Sequence, residues 1–241
     1  MRTFLMVCAV SAGMAGLCAP ALQARSGSGQ TAAEGVSGST LVYADFENGG
    51  VDGKPVSSRG GRVNLWGYQE SPTRPSVFKG SDGDNGTPRL VRTSSADQNH
   101  AAAFDYELVI PNEYAGVTIE VQGQPGQEGA LPADDMSGFK TLRFGVYVTG
   151  SEYMRVEIMS QGSRINYHSS YPMTTFKVKE GFNTYRVPLK AFAQPTWVTE
   201  TRIDPKEILK KLTSITFSVY CEQECRPAKG TVVVDNVVFE K

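Results

Sequence analysis

The chain has 241 residues, of which 40% are hydrophobic, and its 24 basic and 25 acidic residues leave a formal net charge of −1 at pH 7. Because this balance gives no attraction to polyanions, the composition excludes nucleic acid and an anionic membrane surface as expected partners. The length suits one β-sandwich domain with short additional segments.

Residues 1–24 have the pattern of a secretory signal peptide. Arg2 is followed by the charge-free, largely apolar run 3–22, and small residues such as Ala19 and Ala21 lie near its end. A lipoprotein signal with Cys18 as the modified residue is an alternative. We therefore expect a secreted or periplasmic protein without membrane insertion after signal removal.

Residues 25–40 are predicted to form a flexible Ser/Gly-rich linker, because Val36 is their only large apolar residue. The folded domain is then expected at 41–241. Its first strand-like run, Leu41–Ala44, is followed by Asp45 and Glu47 and by a Gly pair at 49–50. These two acids could be a catalytic pair, a metal site or solvated charges at a strand end.

Most of the domain consists of short runs in which apolar and polar residues alternate. The runs at 141–148, 154–160 and 213–220 alternate most regularly, which predicts half-buried antiparallel strands. The join TGSEY between the first two of these runs predicts a hairpin. Further strands are predicted at 62–68, 88–93, 100–110, 115–121, 164–169, 174–178, 182–189 and 230–239.

Helical signal is confined to one stretch and one short turn. In 204–212, Asp204 can cap a helix and Pro205 suits its first turn, and a second turn is expected at 190–193. So many strands with so little helix predict an all-β fold, a jelly-roll β-sandwich of two antiparallel sheets.

Two cysteines remain once the signal is removed. Cys221 and Cys225 lie four positions apart, and export would place them in an oxidising compartment. We therefore predict a disulfide between them that staples a small loop.

Outward-facing aromatic and polar side chains are the candidate ligand-binding residues. Tyr147 lies on the polar face of its strand, Arg155 and Glu157 share the polar face of the next strand, and His168 and Tyr171 follow in INYHSSY. A ring offers a flat surface for the C–H face of a sugar, and the polar groups supply directional hydrogen bonds. As a group they favour a sugar-binding face, while each one alone is also compatible with ordinary packing.

Two further features leave alternatives open. Trp66 and Trp197 either fill an edge of the core or offer exposed rings to a sugar. A glycosidase would need two carboxylates across a cleft, and Glu157 with Asp105 or Glu107 would be the candidate pair. The sequence contains no nucleophile elbow and no phosphate-binding Gly loop.

Several segments together resemble a known group of proteins. They are YADFENG near the start, YAGVTIEV at 114–121, MSGFKTLRFGVYVTG at 136–150, GFNTYRVPLKAFAQPTW at 181–197 and GTVVVDNVVFE at 230–240. Over almost all of 41–240 the chain resembles galactose-binding-like jelly rolls, above all carbohydrate-binding module family 11 and the related domain of complex I intermediate-associated assembly factors. The resemblance implies two antiparallel sheets, with a shallow concave cleft on one of them that takes a β-glucan chain.

The resemblance also implies roles for individual residues. His168 and Tyr171 match a His and a Tyr three apart that line the family's cleft, and Tyr147 with Arg143 lies on a preceding strand of the right kind. The acidic partner expected just before His168 is replaced by Ile165 and Asn166.

A structural calcium ion is implied where the first strand meets the last. Its ligands would be Asp45 or Glu47 together with Asp235, which interrupts the apolar strand VVVDNVVF. Ca²⁺ takes oxygen ligands, and an Asp within an apolar strand is costly to desolvate unless it is paired or bound to a metal.

We therefore expect a secreted, monomeric, non-catalytic protein that binds a polysaccharide or oligosaccharide on a concave sheet. Two alternatives stay open: a protein-interaction or assembly domain with a protein partner, and a polysaccharide hydrolase or lyase that uses Glu157.

Overall fold

The computed structural model describes residues 36–37, 39–47, 54–68, 78–79, 86–93, 99–121, 132–160, 171–199, 202–221 and 228–241. All of them belong to one compact unit, Ala33–Lys241. Thirteen strands lie in these ranges: β1 (Val36–Ser37), β2 (Thr40–Ala44), β3 (Val63–Tyr68), β4 (Phe78–Lys79), β5 (Arg89–Arg92), β6 (His100–Leu108), β7 (Tyr114–Glu120), β8 (Thr141–Val148), β9 (Tyr153–Ser160), β10 (Met173–Lys177), β11 (Asn183–Pro188), β12 (Leu212–Tyr220) and β13 (Ala228–Glu240).

Helix is limited in the described residues to α1 (Pro205–Leu209) and a 3-10 turn at Leu189–Ala191. Asp204 caps α1 as predicted, since its Oδ1 accepts a hydrogen bond from the Lys206 amide at 2.9 Å. The helix is shorter than predicted because Leu212 already begins β12 and pairs with Ser160 of β9. Within the described ranges no helix is long and apolar enough to span a membrane.

The strands form two antiparallel sheets. The first sheet has the order β1-β2-β13-β6-β4, with β8 between β13 and β11 and with β5 paired to β6. The second sheet has the order β10-β9-β12-β7-β3. The predicted all-β jelly-roll sandwich of two antiparallel sheets is confirmed.

The core lies between the inward faces of the two sheets. Phe144 of β8 meets Phe217 of β12 edge to face, with ring centroids 5.0 Å apart, and Phe176 and Tyr185 pack against the same ring. The alternation in the sequence correctly identifies the inward side of β8, because residues two apart on a strand face the same way. The prediction that β12 is half-buried is wrong, since Ser214, Thr216 and Ser218 on its other side are buried as well.

The link between β8 and β9 crosses from the first sheet to the second. Thr149 still donates its amide proton to Thr231 of β13 at 3.0 Å, whereas Tyr153 already pairs with Lys177 of β10. β8 pairs with β11 and β13, and β9 pairs with β10 and β12. The predicted hairpin at TGSEY is therefore wrong, because alternation reveals which side of a strand is buried but not which sheet the strand joins.

β13 is the central strand of the first sheet. Its first half pairs with β6 and its second half with β2, while β8 pairs along both halves. The register shifts between Asp235 and Val238, and Asn236 has a φ of 51° at this bulge.

The described residues bear on only part of the predicted domain division. β1 lies inside the predicted linker, where Val36 pairs with Leu41 of β2. The predicted signal peptide and the predicted strand at 164–169 lie outside the described residues. The division into signal, linker and domain, and with it secretion, stays a prediction.

Candidate functional site

The residues predicted to bind a sugar lie on two different sheets. Tyr147 and Arg143 are on the outer face of β8 in the first sheet. Arg155 and Glu157 are on the outer face of β9 in the second sheet. Since the sandwich separates these two faces, the four side chains cannot line one cleft.

Arg143 is engaged in an ion-pair network on the first sheet. Its Nε donates to Glu240 Oε1 at 2.8 Å, and Arg186 Nε donates to the other oxygen of the same carboxylate at 3.2 Å. These contacts lower the pKa of Glu240 against the opposing effect of desolvation, which is the largest contribution. The network joins β8, β11 and β13.

The remaining two predicted binding residues precede β10. Tyr171 is half-buried, and its neighbour Pro172 accepts a hydrogen bond from the Ile158 amide of β9 at 3.1 Å. Tyr171 is therefore on the second sheet with Arg155 and Glu157. His168 lies outside the described residues.

Two adjacent inner strands of the second sheet, β7 and β12, carry small residues between larger side chains on their outer side. In register across the five strands lie Trp66, Gly116, Ser218, Arg155 and Thr175. A Cβ at Gly116 would meet the Phe217 carbonyl oxygen at 2.8 Å, so glycine is required there. Beside this row, Thr118 and Thr216 share a hydrogen bond of 2.7 Å.

A pocket of about 380 Å³ opens at one end of this face. Small-ligand sites have volumes of about 300–1,000 Å³. We call it the aromatic pocket; the described residues that line it are Asn112, Tyr114, Arg155, Trp197, Tyr220 and Cys221.

Backbone contacts at the end of the sheet fix one wall of the aromatic pocket. Tyr114 of β7 and Tyr220 of β12 are paired residues. The Cys221 amide donates to the Glu113 carbonyl at 2.9 Å, and the Asn112 amide donates to the Cys221 carbonyl at 3.0 Å. Because Glu113 is buried and accepts from the amides of the preceding turn, this wall is rigid.

Trp197 forms the opposite wall and is 58% exposed. The turn that carries it begins after Ala193, which exchanges two backbone hydrogen bonds with Met173 of β10. Gln194 braces the turn, since its side chain donates to the Val198 carbonyl and accepts from the Ile203 amide. Trp197 thus presents its ring outward, whereas Phe192 is buried.

Arg155 lies between the two walls. Its guanidinium carbon is 4.3 Å from the centroid of the Tyr220 ring and 5.5 Å from that of Trp197. Both distances are within the range of cation–π attraction, which favours a fixed guanidinium position. The Nε atom is buried and has no hydrogen-bond partner among the residues that the structure describes.

Glu157 lies behind Arg155 on the same strand. Its carboxylate Oε1 is 3.7 Å from Arg155 Nη1, and the buried Oε2 has no hydrogen-bond partner in the described part of the chain. Desolvation raises the pKa of Glu157 to about 7, while Arg155 acts in the opposite direction.

Trp66 extends the aromatic surface toward the sheet edge. Its ring meets Tyr114 edge to face with centroids 4.8 Å apart. Its Nε1 is buried without a hydrogen-bond partner among the described residues. Trp66 is half-buried, so it neither fills the core edge completely nor exposes its ring fully, which were the two alternatives left open by the sequence.

Tyr114 and Tyr220 were not predicted to be binding residues, although the sequence contains a pattern that places Tyr220 on the outward side of its strand. Tyr220 shares the outward side of its strand with Ser214, Thr216 and Ser218, and Tyr114 begins the strand beside it. Only the pairing of β7 with β12 shows that the two rings lie side by side.

The predicted carboxylate pair is separated by the sandwich. Asp105 and Glu107 lie on β6 of the first sheet, on the opposite sheet from Glu157. Asp105 accepts hydrogen bonds from Arg89 at 2.8 Å and from Thr231 at 2.7 Å. Glu107 forms an ion pair with Lys229 at 3.9 Å.

The predicted calcium ligands meet at the bulge of β13. Asp235 is buried, and its carboxylate accepts from Asn99 Nδ2 at 2.9 Å, from the Asn236 amide at 2.7 Å and from Asn236 Nδ2 at 2.9 Å. Asp45 accepts from Ser58 Oγ at 2.9 Å, and Glu47 accepts from the His100 amide at 3.2 Å.

This arrangement already gives Asp235 three hydrogen-bond donors without a metal. Desolvation raises the pKa of Asp235 to about 6, and Glu47 and Asp45 add to the rise. Within the described residues no three His, Cys, Asp or Glu side chains lie close enough together to hold a metal ion. Calcium binding stays a prediction.

Cys221 is buried and disulfide-bonded. Its expected partner, Cys225, lies outside the described residues. The Cys221–Cys225 pairing stays a prediction.

Comparison with solved structures gives neighbours of similar fold. The family 11 carbohydrate-binding module from Clostridium thermocellum, in complex with a β-1,3-1,4-mixed-linked tetrasaccharide, is 18% identical; the alignment covers 84% of this chain and 94% of that one, with a TM-score of 0.49. The family 30 module of a cellulosomal cellulase from the same organism is 14% identical over 73% of this chain and 98% of that one, with a TM-score of 0.45.

Family 11 modules, which the sequence resembles, are among the solved structures similar to this chain. No family model matches the chain, and no curated protein matches it. The resemblance to complex I assembly factors stays a prediction.

Proposed function

We propose that this protein binds carbohydrate, and that the aromatic pocket is where it does so. The observation that carries the proposal is the position of Trp197, a large ring that is 58% exposed and held by a braced turn opposite Tyr114 and Tyr220. Exposing such a ring costs hydrophobic free energy, and a sugar ring that packs against it would recover that free energy.

The polar groups of the pocket suit the same kind of ligand. Asn112 and Arg155 bring hydrogen-bonding groups to the pocket wall, beside the rings of Tyr114, Trp197 and Tyr220. A sugar presents an apolar face and a rim of hydroxyl groups, so it requires both kinds of contact.

Binding, rather than turnover, is the chemistry that this geometry favours. None of the described residues that line the pocket is an acid, and the side chain of Glu157, behind Arg155, is only 6% exposed. The candidate partner acids, Asp105 and Glu107, lie on the other sheet. The hydrolase or lyase and the assembly domain stay as alternative predictions.

A glycan-binding screen with the full chain tests the proposal. Trp197→Ala should weaken binding of the retained glycan by about tenfold, because it removes one stacking surface. Its melting temperature should stay within a degree or two, since the ring is mostly exposed.

The matched control is Phe182→Ala. The Phe182 side chain has a comparable exposure, 46%. It lies on the first sheet, however, directly before β11, and its ring packs over Gly145 of β8. This variant should keep full glycan affinity. If the folded wild-type protein retains no glycan from a broad panel, the proposed function is wrong.

A further inference from the structure

Among the described residues, the lining of the aromatic pocket contains a cation and no carboxylate. Arg155 is the one charged side chain among the described residues that line it. Glu157, with which it forms an ion pair, is almost fully buried behind it. The described part of the lining is therefore positively charged and otherwise aromatic or neutral.

Arg155 also has unused hydrogen-bonding capacity. A guanidinium group carries five N–H donors in a planar fork. The closest approach to Glu157 is 3.7 Å, longer than the 2.7–2.9 Å or so of a charge-assisted hydrogen bond. The Nε atom of Arg155 is buried and has no hydrogen-bond partner in the described part of the chain. The side chain as a whole is 16% exposed.

The guanidinium group is held in place, while its Nε has no hydrogen-bond partner among the described residues. Tyr220 and Trp197 both lie within cation–π distance of it, at 4.3 and 5.5 Å. A fixed, planar donor fork matches the geometry of a carboxylate, which it can bind through two parallel hydrogen bonds. The Trp197 ring beside the guanidinium can pack against the sugar ring that carries such a carboxylate.

We propose that the aromatic pocket selects an acidic sugar, a uronate whose carboxylate binds Arg155 while its ring packs against Trp197. This inference rests on the proposed function and specifies its ligand class. A neutral sugar offers the guanidinium of Arg155 no anionic acceptor, so it binds less tightly.

Glu157 makes this selection sensitive to pH. Below the raised pKa of about 7, Glu157 is protonated and leaves Arg155 free for the ligand; above it, the two carboxylates compete for one guanidinium. Among the described residues, β12 and β10 face Glu157 with Thr216 and Met173, which do not titrate. The helix α1 packs against β9 and contributes Lys206 and Glu207, which are both exposed.

Calorimetry with the full chain tests the inference, with trigalacturonate and its methyl ester as probes. The two ligands have the same ring and linkages and differ in the carboxylate charge. We expect the acid to bind at least tenfold more tightly than the ester at pH 6. Affinity for the acid should fall severalfold between pH 6 and pH 8, while affinity for the ester stays constant.

Two variants separate charge from packing. Glu157→Gln should raise the affinity for the acid at pH 8 severalfold and remove its pH dependence, because it eliminates the competing carboxylate. The double variant Arg155→Gln with Glu157→Gln should bind acid and ester equally, and it leaves no unpaired buried charge that could prevent folding.

The outcomes distinguish this inference from the proposed function. If the wild type binds the ester as tightly as the acid, or more tightly, the uronate inference is wrong and carbohydrate binding stands. If the double variant still prefers the acid, Arg155 does not make the selection and the inference is wrong. If the folded wild type binds neither of these nor any other glycan, both proposals are wrong.

Discussion

Arg155 and Glu157 point to the same side of β9, and their closest charged atoms, Nη1 and Oε1, are 3.7 Å apart. The pair is buried unequally, because the arginine reaches the aromatic pocket while the glutamate is enclosed beneath it. Desolvation therefore acts more strongly on the glutamate than the arginine can offset, and the pKa of Glu157 rises to about 7.

The stability of the fold should depend on pH through Glu157. In the unfolded chain this carboxyl loses its proton near its ordinary pKa of 4.5, whereas in the folded protein it keeps the proton up to about pH 7. Stability from this group is thus present below pH 4.5 and is lost as the pH rises through 7. Glu157→Gln removes the effect, so its stability relative to wild type should increase by about 2–3 kcal/mol between pH 4 and pH 8.

Urea denaturation at several pH values measures this difference. Glu152→Gln is the control for the same substitution at the surface, because the Glu152 side chain is 75% exposed. A Glu157→Gln difference that is constant with pH would show that the wild-type carboxyl ionises normally in the fold.

Asn99 should stabilise the bulge of β13 by its hydrogen bond to Asp235. Asn99→Ala removes one of three donors from a buried carboxylate, which should cost about 1–3 kcal/mol of folding free energy. Asn64→Ala is the comparison, since the Asn64 side chain bonds to the partly exposed Glu120 and should cost less.

The same thermal melts, repeated with calcium and with a chelator, test the calcium prediction. Binding at Asp45, Glu47 and Asp235 would raise the melting temperature with calcium concentration, and Glu47→Gln would suppress that rise. A wild-type melting temperature that does not respond to calcium contradicts the prediction.

Arg143 should be dispensable for glycan binding. It lies on the first sheet in the network with Glu240 and Arg186, remote from the aromatic pocket. Arg143→Ala should leave glycan affinity unchanged and lower stability by no more than about 1 kcal/mol, as expected for a partly exposed ion pair. Loss of binding with an intact fold would place the ligand on the first sheet instead.

Gly116 and Gly145 should differ in their tolerance of a methyl group. At Gly116 an added Cβ would meet the Phe217 carbonyl oxygen at 2.8 Å, and the backbone of β12 cannot move aside. At Gly145 it would meet the ring of Phe182 at 2.6 Å, and that ring is exposed and free to shift. Gly116→Ala should therefore cost about 1–3 kcal/mol and Gly145→Ala less than 1, measured by denaturant unfolding.

The strands were predictable because each one carries its own pattern. β3, β7, β8, β9 and β12 all begin within a residue or two of their predicted positions. Alternation is a local property of a half-buried strand, so the sequence of that strand is enough to recognise it.

The candidate site was only partly predictable, because it depends on pairings between distant strands. Arg155 and Glu157 were identified as outward-facing, but Tyr147 was grouped with them on the assumption of a hairpin. Tyr114 and Tyr220 come together through the pairing of β7 with β12, which joins residues about a hundred positions apart. No pattern within either strand specifies that partner.

The central position of β13 has a consequence for how this protein is made. β13 pairs with β2, β6 and β8. These three strands therefore lack their shared central partner until Ala228–Glu240 has been synthesised. Thr40 and Glu240, at opposite ends of the domain, are direct neighbours in the finished sheet. The first sheet therefore closes only after translation of the whole domain, and its assembly is slow compared with folds built from local contacts.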